Sequence, residues 1–294
     1  MATPSTPPRV LLLGGHGKIA LLLTPLLLAR GWNVTSVIRN PDHSADILKR
    51  AKNKPGKLEP LVSSLDDITS VDAAKAVVDK ARPDYVVWMA GAGGKGAPHR
   101  TYAIDRDAAK HFISATFLDP HIKKFLLLSH LGSRRLPAPW MPAAKWEQYD
   151  HINRDVIPDY YQAKLDADEY FTYMALRRTK MDEERGVTAV GERFQGILLR
   201  PGLLADSPAT GRVELGKTGL ETGDGREVDD VSREDVAIVA DLLLARGDTR
   251  GWLDLLGGEE ESEKAVERVV RERVNAVDGE DVERMCARFE EEEE

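Results

Sequence analysis

Short apolar runs separated by amphipathic stretches set the rhythm of the first half of the chain. Residues 9–13 (Arg-Val-Leu-Leu-Leu) end at Gly14 and suit a strand buried on both faces of a parallel sheet. A helix is predicted over 17–30, with Pro25 expected to kink it or shorten its hydrogen-bond ladder and Gly31 expected to stop it. Strands follow at 33–38, 58–62, 85–89 and 124–129, with helices at 44–52, 70–81 and 105–117 between them. This alternation predicts an α/β fold: a doubly wound, Rossmann-like parallel sheet with helices on both faces.

Beyond Ser129 the pattern loosens. Residues 131–158 are proline-rich, contain Trp140, Met141, Trp146 and Tyr149, and are too long for a simple connection, so they read as a possible lid. A long helix is predicted over 159–181, a strand over 195–200 ending in Pro201-Gly202, a helix over 231–245 and a last short strand over 252–255. Leu203, Leu204 and Leu220, with the two tryptophans of the insertion, point to a small C-terminal substrate-side region for an apolar or aromatic ligand.

Charge changes this picture at one end only. The chain of 294 residues has 41 basic and 49 acidic side chains, a formal net charge of −8, which argues against nucleic-acid binding. Residues 259–294 hold 15 acids and 6 bases, so the excess sits in the tail and the body is close to neutral. Within the tail, Ala265, Val266, Val269, Val270, Val274 and Val277 have partial helical periodicity, which predicts a docked amphipathic helix followed by a mobile, solubilising glutamate tip. The leucine-rich stretch 10–29 is broken by Gly14, Lys18 and Pro25 and is no membrane span, and residues 1–8 read as a disordered leader. The single cysteine, Cys286, excludes an internal disulfide and fits a reducing, cytoplasmic setting. No histidine or cysteine spacing suggests a metal, and no G-x-S-x-G elbow occurs.

Candidate chemistry lies at two places. Gly14-Gly15-His16-Gly17-Lys18-Ile19-Ala20 lies between the first strand and the first helix, where glycines permit a tight turn and the helix N-terminus offers free N–H groups to a pyrophosphate. His16 is expected to contribute its backbone N–H rather than its ring. The second strand ends Ser36-Val37-Ile38-Arg39 without the carboxylate that would hold a ribose 2′-hydroxyl. Arg39 instead offers a donor fork to a 2′-phosphate, so NADP(H) is preferred over NAD(H). Further on, Tyr160 and Lys164 are spaced i, i+4 and share one face of the helix that follows the fifth strand.

On Gly14-x-x-Gly17-x-x-Ala20, Arg39, Leu65-Asp66, Ala90-Gly91, Tyr160-x-x-x-Lys164, Arg200-Pro201-Gly202 and Ser232-Arg-Glu-Asp-Val-Ala237, the chain resembles the short-chain dehydrogenase/reductase superfamily. The likeness is to its extended and atypical NAD(P)-binding members, the epimerase/dehydratase-like and NmrA-like groups, and it covers roughly residues 9–258. The resemblance implies an NAD(P)-binding domain over 1–258 and a separate acidic helix and tail over 259–294. It implies cofactor contacts from Gly14, Gly15, His16, Gly17, Lys18, Ile19, Arg39, Leu65, Ala90, Gly91, Tyr160, Lys164 and Pro201. It makes Tyr160 the general acid/base, with Lys164 lowering the phenol's pKa and touching the nicotinamide ribose. Ser129 is the expected third member, with Ser133 as a competing alignment, and Ser64 stands where the family often has an aspartate. His130 reads as a buried histidine rather than a base. Two functions follow from the resemblance: an NADP(H)-dependent oxidoreductase or epimerase/dehydratase acting on a small carbonyl or hydroxyl substrate, and an NmrA-like NADP-binding regulator without turnover.

Overall fold

The computed structural model describes residues 6–92, 98–219 and 230–293, with side chains described as far as Glu291. The predicted Leu220, most of the leader and the last of the glutamate tip lie outside the described residues. In chain order the elements are β1 (Arg9–Leu13), α1 (Lys18–Ala29), β2 (Asn33–Ile38), α2 (Ser44–Leu48), β3 (Leu58–Val62), α3 (Val71–Ala81) and β4 (Tyr85–Trp88). Next come α4 (Pro98–Thr101), a π-helical stretch (Tyr102–Ala108), α5 (Ala109–Phe117), β5 (Lys124–Leu128), α6 (Ala143–His151), a second π-helical stretch (Ile152–Val156) and α7 (Pro158–Glu184). The chain continues with β6 (Gln195–Pro201), β7 (Leu203–Ala205), β8 (Arg212–Gly216), β9 (Asp230–Ser232), α8 (Arg233–Ala245), β10 (Gly251–Gly257), β11 (Glu260–Glu261), α9 (Ser262–Arg271) and α10 (Val282–Glu293).

The main sheet runs β11-β8-β10-β6-β5-β4-β1-β2-β3, parallel from β10 to β3, with β8 and β11 added antiparallel. Successive side chains of a strand point to opposite faces, and β1 supplies both layers. Leu11 and Leu13 pack with Trp88, Phe112, Phe125 and Phe171 under α5 and α7, whereas Val10 and Leu12 pack with Leu23, Leu27 and Val236 under α1 and α8. The doubly wound α/β reading holds, and α1 passes through Pro25 as one continuous helix.

The second half departs from the sequence reading. The insertion is no free loop: Leu131, Ser133, Arg134 and Ala138 are buried, and α6 occupies its second part. Arg134 donates to the carbonyls of Ala276 and Asp278, and Trp140 Nε1 donates to Thr218 O at 3.0 Å. The strand predicted as the last, at 252–255, is β10, an interior strand between β6 and β8. The tail holds more than one helix: β11 extends the main sheet, α9 buries Ala265, Val266 and Val269 against one face, and α10 buries Met285 and Phe289 against the other. Three-residue strands such as β7 and β9 carry no readable period, because their partners are distant in sequence.

Candidate functional site

Parallel strands open their carboxyl ends to one edge of the sheet, and ligands of such folds bind there. A groove of about 290 Å³ lies along this edge, lined by Gly14, His16, Gly17, Ile38, Arg39, His43, Leu65, Asp66, Ala90, Gly91, Arg100 and Ile104, among others. Gly14 has φ +79°, and a Cβ there would lie 2.7 Å from the backbone N and Cα of Ala90. Only glycine gives this turn and this close approach of the loop to β4. Gly17 is the N-cap of α1 and makes no side-chain cap, and the first turn holds no acidic residue. The first-turn N–H groups therefore lack intrahelical acceptors and face where an anion would be held. The loop fits a pyrophosphate.

At the outer end of the groove, Arg39 Nη1 is 3.6 Å from Asp66, and Arg100 Nε donates to the same carboxylate at 3.0 Å. Arg100 holds the Asp66 carboxyl below the usual carboxylate range. The rings of His16 and His43 stack at 3.7 Å, and His16 Nε2 lies 3.2 Å from Asp46 Oδ2. The His16 ring, not only its backbone, thus lines the groove. Arg100 and His43 were missed in the sequence because each belongs to a short connecting segment with no motif of its own.

Not every expected cofactor residue reaches the groove. Gly15 spends its N–H on Val37 O at 2.8 Å, and a Cβ there would strike Ser36 Oγ, so this glycine serves the packing of the loop on β2. Lys18 points away and pairs with Asp206 at 2.6 Å. Ile19 is buried in the core beneath the loop. Pro201 ends β6, where its carbonyl accepts the N–H of Leu131.

The inner end of the groove adjoins a buried polar cluster. Asp105, on the first π-helical stretch, accepts the N–H of Ala92 at 2.8 Å, and Gly91 leaves room for its carboxylate. Burial pushes the Asp105 carboxyl up, against the pull of the Lys164 ammonium. Lys164, one turn after Tyr160 on α7, donates to Leu128 O at 2.9 Å. Ser129 donates to Asp168 Oδ2 at 2.6 Å, and the Ser133 hydroxyl also acts on the Asp168 carboxyl, so both serines face it. Asp168 is fully buried, and desolvation raises its pKa to about 6 despite Arg200 and Lys164 nearby. Burial, with Asp105 and Asp168 adding to it, pushes the Tyr160 phenol well above its ordinary value. The His130 ring lies 5.9 Å from that of Tyr160, and burial lowers its pKa to about 4, so it is neutral. Tyr161 donates to Arg134 O and takes no part in the cluster.

Asp105 and Asp168 were missed, although both left a signal: an acid on the apolar face of a helix. Arg200 and Asp254 left the same signal inside apolar strands. They are register partners on β6 and β10, and their side chains form a buried ion pair at 2.9 Å under the cluster. Among the described residues, no group of three or more His, Cys, Asp or Glu side chains is placed to hold a metal. No helix among them is long and apolar enough to cross a membrane.

Comparison with known proteins accords with this geometry. The profile of an NAD(P)H-binding family matches residues 14–246. The UPF0659 protein C216.03 of Schizosaccharomyces pombe is 32% identical over 217 residues, covering 73% of this chain and 78% of that protein. In structure the chain is similar to the oxidoreductase ylbE of Lactococcus lactis (TM-score 0.61, 17% identity, 89% of this chain and 96% of that one). It is also similar to the UDP-glucose 4-epimerase of Thermotoga maritima (TM-score 0.55, 18% identity, 90% and 81%). The extent of the match establishes that this chain belongs to the NAD(P)H-binding family, and the structural likenesses accord with its Rossmann-like fold.

Proposed function

We propose that the chain is an NADP(H)-dependent oxidoreductase working in the direction of reduction, with Tyr160 as the proton donor to a small carbonyl substrate. The observation that carries this reading is that the groove reaches the cluster at Asp105: a Cβ on Gly91 in the groove wall would lie 2.9 Å from the Asp105 carboxylate, and Asp105 interacts electrostatically with Lys164 and Tyr160. The nicotinamide, when bound, supplies the hydride. The glycine loop and the N-terminus of α1 hold the pyrophosphate. Arg39 and Arg100 present two cations against the single carboxylate of Asp66, a surplus that favours a 2′-phosphate over a 2′-hydroxyl. A phenol with a raised pKa stays protonated through neutral pH, so it donates to a developing alkoxide more readily than it accepts from an alcohol. The expectation that Lys164 lowers the phenol's pKa is not met: its ammonium donates to Leu128 O and acts on Asp105 and Asp168, while burial and those two carboxyls raise the phenol.

One observation favours the second reading, an NADP-binding regulator without turnover: the Ser129 hydroxyl is committed to Asp168 rather than free to orient a substrate. A panel of aldehydes and ketones, followed by NADPH oxidation, separates the two. The enzyme reading expects turnover that falls at least about a hundredfold in Tyr160→Phe while NADPH affinity stays within threefold. Tight NADPH binding with no turnover on any carbonyl, in parent and variant alike, supports the regulator.

A further inference from the structure

The edge of the sheet opposite the groove holds an unusual set of charges. Lys124 opens β5 there and is buried. Its ammonium is held by the carbonyls of Leu244 and Arg246 and lies over the Tyr85 ring at 4.6 Å. Arg250, just before β10, is half-buried. Its guanidinium donates to the carbonyls of Phe194 (3.0 Å), Val190 (2.6 Å) and Arg193 (3.0 Å). Neither side chain forms a close ion pair among the described residues, and burial lowers the pKa of both, Lys124 to about 7, against the more distant pull of Asp248 and, at Arg250, of Asp182. Buried positive charge whose close contacts are carbonyl dipoles gains from the nearer approach of an anion.

Beside these cations is a cavity of about 610 Å³, lined by Arg193, Arg246, Arg250, Arg271 and Arg273 on its basic side. Arg246 is paired with Asp248, Arg193 with Glu183 and Arg271 with Glu272, whereas Arg250 and Arg273 are not in ion pairs among the described residues. Arg273 has φ +53°, at the left-handed position after α9 that glycine usually takes. This positive surplus stands out in a chain whose formal charge is −8. Thr179, Arg250, Gly251 and Asn275 also line a second cavity of about 190 Å³, whose walls include Phe171, Leu176, Phe194, Trp252, Val277 and Val282. The basic chamber and the apolar chamber therefore adjoin at those four residues.

We infer that this double cavity binds a small anionic amphiphile, its carboxylate or phosphate among Arg250, Arg271 and Arg273 and its apolar chain against Phe171, Phe194 and Trp252. The site lies at the amino ends of β5, β6 and β10, away from the carboxyl ends that line the cofactor groove, so its occupancy is independent of the proposed reaction. An apolar pocket with a few convergent polar groups at its mouth is the usual form of a small-molecule site. Here the head group adds a close counter-charge at Arg250 and Arg273, which have no ion pair among the described residues, while the chain fills the apolar chamber.

The test uses the full chain and octyl phosphate, octanoate, octanol and inorganic phosphate, titrated by calorimetry with and without saturating NADPH. The expected result is one saturable site for octyl phosphate or octanoate that NADPH does not displace. Octanol and inorganic phosphate should each bind at least tenfold more weakly, because each offers only half of the complement. Thr179→Trp, at an exposed position on α7 between the chambers, should weaken octyl phosphate at least tenfold. The Arg271→Ala/Arg273→Ala pair should weaken it by a similar factor without affecting octanol. The inference is overturned by an absence of saturable binding, by octanol binding as well as octyl phosphate, by competition with NADPH, or by unchanged affinity in both variants. Capture by vesicles containing phosphatidate, without binding of free octyl phosphate, also counts against it.

Discussion

Asp168 offers the sharpest test of the buried cluster, because its environment fixes both the sign and the size of a pH effect. Burial raises its pKa from 3.8 to about 6, with Arg200, Lys164 and the Ser129 hydroxyl pulling the other way. The folded protein therefore holds this proton more tightly than the unfolded chain. The associated stability is fully present below pH 3.8 and is lost as pH rises through about 6. The shift corresponds to about 3 kcal/mol in total, a large fraction of the roughly 5–15 kcal/mol that holds a typical protein folded. About half of it falls between pH 5 and pH 7.5. Asp168→Asn keeps the shape and an oxygen that accepts from Ser129, but cannot lose a proton. Urea unfolding of parent and variant at those two pH values cancels every other titrating group in the difference. The variant should gain on the order of 1 kcal/mol relative to the parent on going from pH 5 to pH 7.5. A difference that stays flat, or one of opposite sign, refutes the assignment of Asp168 as a desolvated carboxyl.

Three further outcomes follow from the geometry. Gly14→Ala should abolish measurable NADPH binding while leaving circular dichroism near that of the parent, because its Cβ meets Ala90 at 2.7 Å and the backbone at φ +79° resists a side chain; an affinity within threefold of the parent would contradict the loop assignment. Arg39→Ala should weaken NADPH by about tenfold or more through loss of a charge-assisted contact and leave NADH unchanged; equal effects on both dinucleotides, measured by fluorescence titration, count against the 2′-phosphate reading. Phe289→Ala, which empties a buried site where the ring meets Tyr170 at 5.1 Å, should cost about 3–5 kcal/mol in urea unfolding; a loss under about 1 kcal/mol would mean that α10 is no part of the core.

The two halves of the candidate site differ in how far they could be read from sequence. The glycine loop is a local device: a strand, a turn that only glycine fits and a helix start lie within a dozen residues, so spacing alone exposes it. Tyr160 and Lys164 are likewise local, one helical turn apart. Lys18 shows the limit of this approach. Its place in the loop suggested an anion contact, but Asp206, 188 residues away, draws the ammonium to the other side. The cluster around Asp168 was legible only as charged residues in apolar company. Its pairings, Ser129 with Asp168 and Arg200 with Asp254, join elements far apart in the chain.

The sequence by itself determined the parallel core, because strands buried on both faces must be continuously apolar and their crossover helices must be amphipathic, and both patterns are periodic and local. It also located the negative charge in residues 259–294. Their apolar periodicity also predicted a docked amphipathic helix, which α9 is, burying Ala265, Val266 and Val269. Where the elements of this segment go was decided by tertiary structure. They add β11 to the edge of the sheet, send α9 to one face and α10 to the other, and give Arg134 the carbonyls of Ala276 and Asp278. A two-residue strand and the burial of one phenylalanine are set by which distant surface is left uncovered. No pattern within the segment encodes that choice.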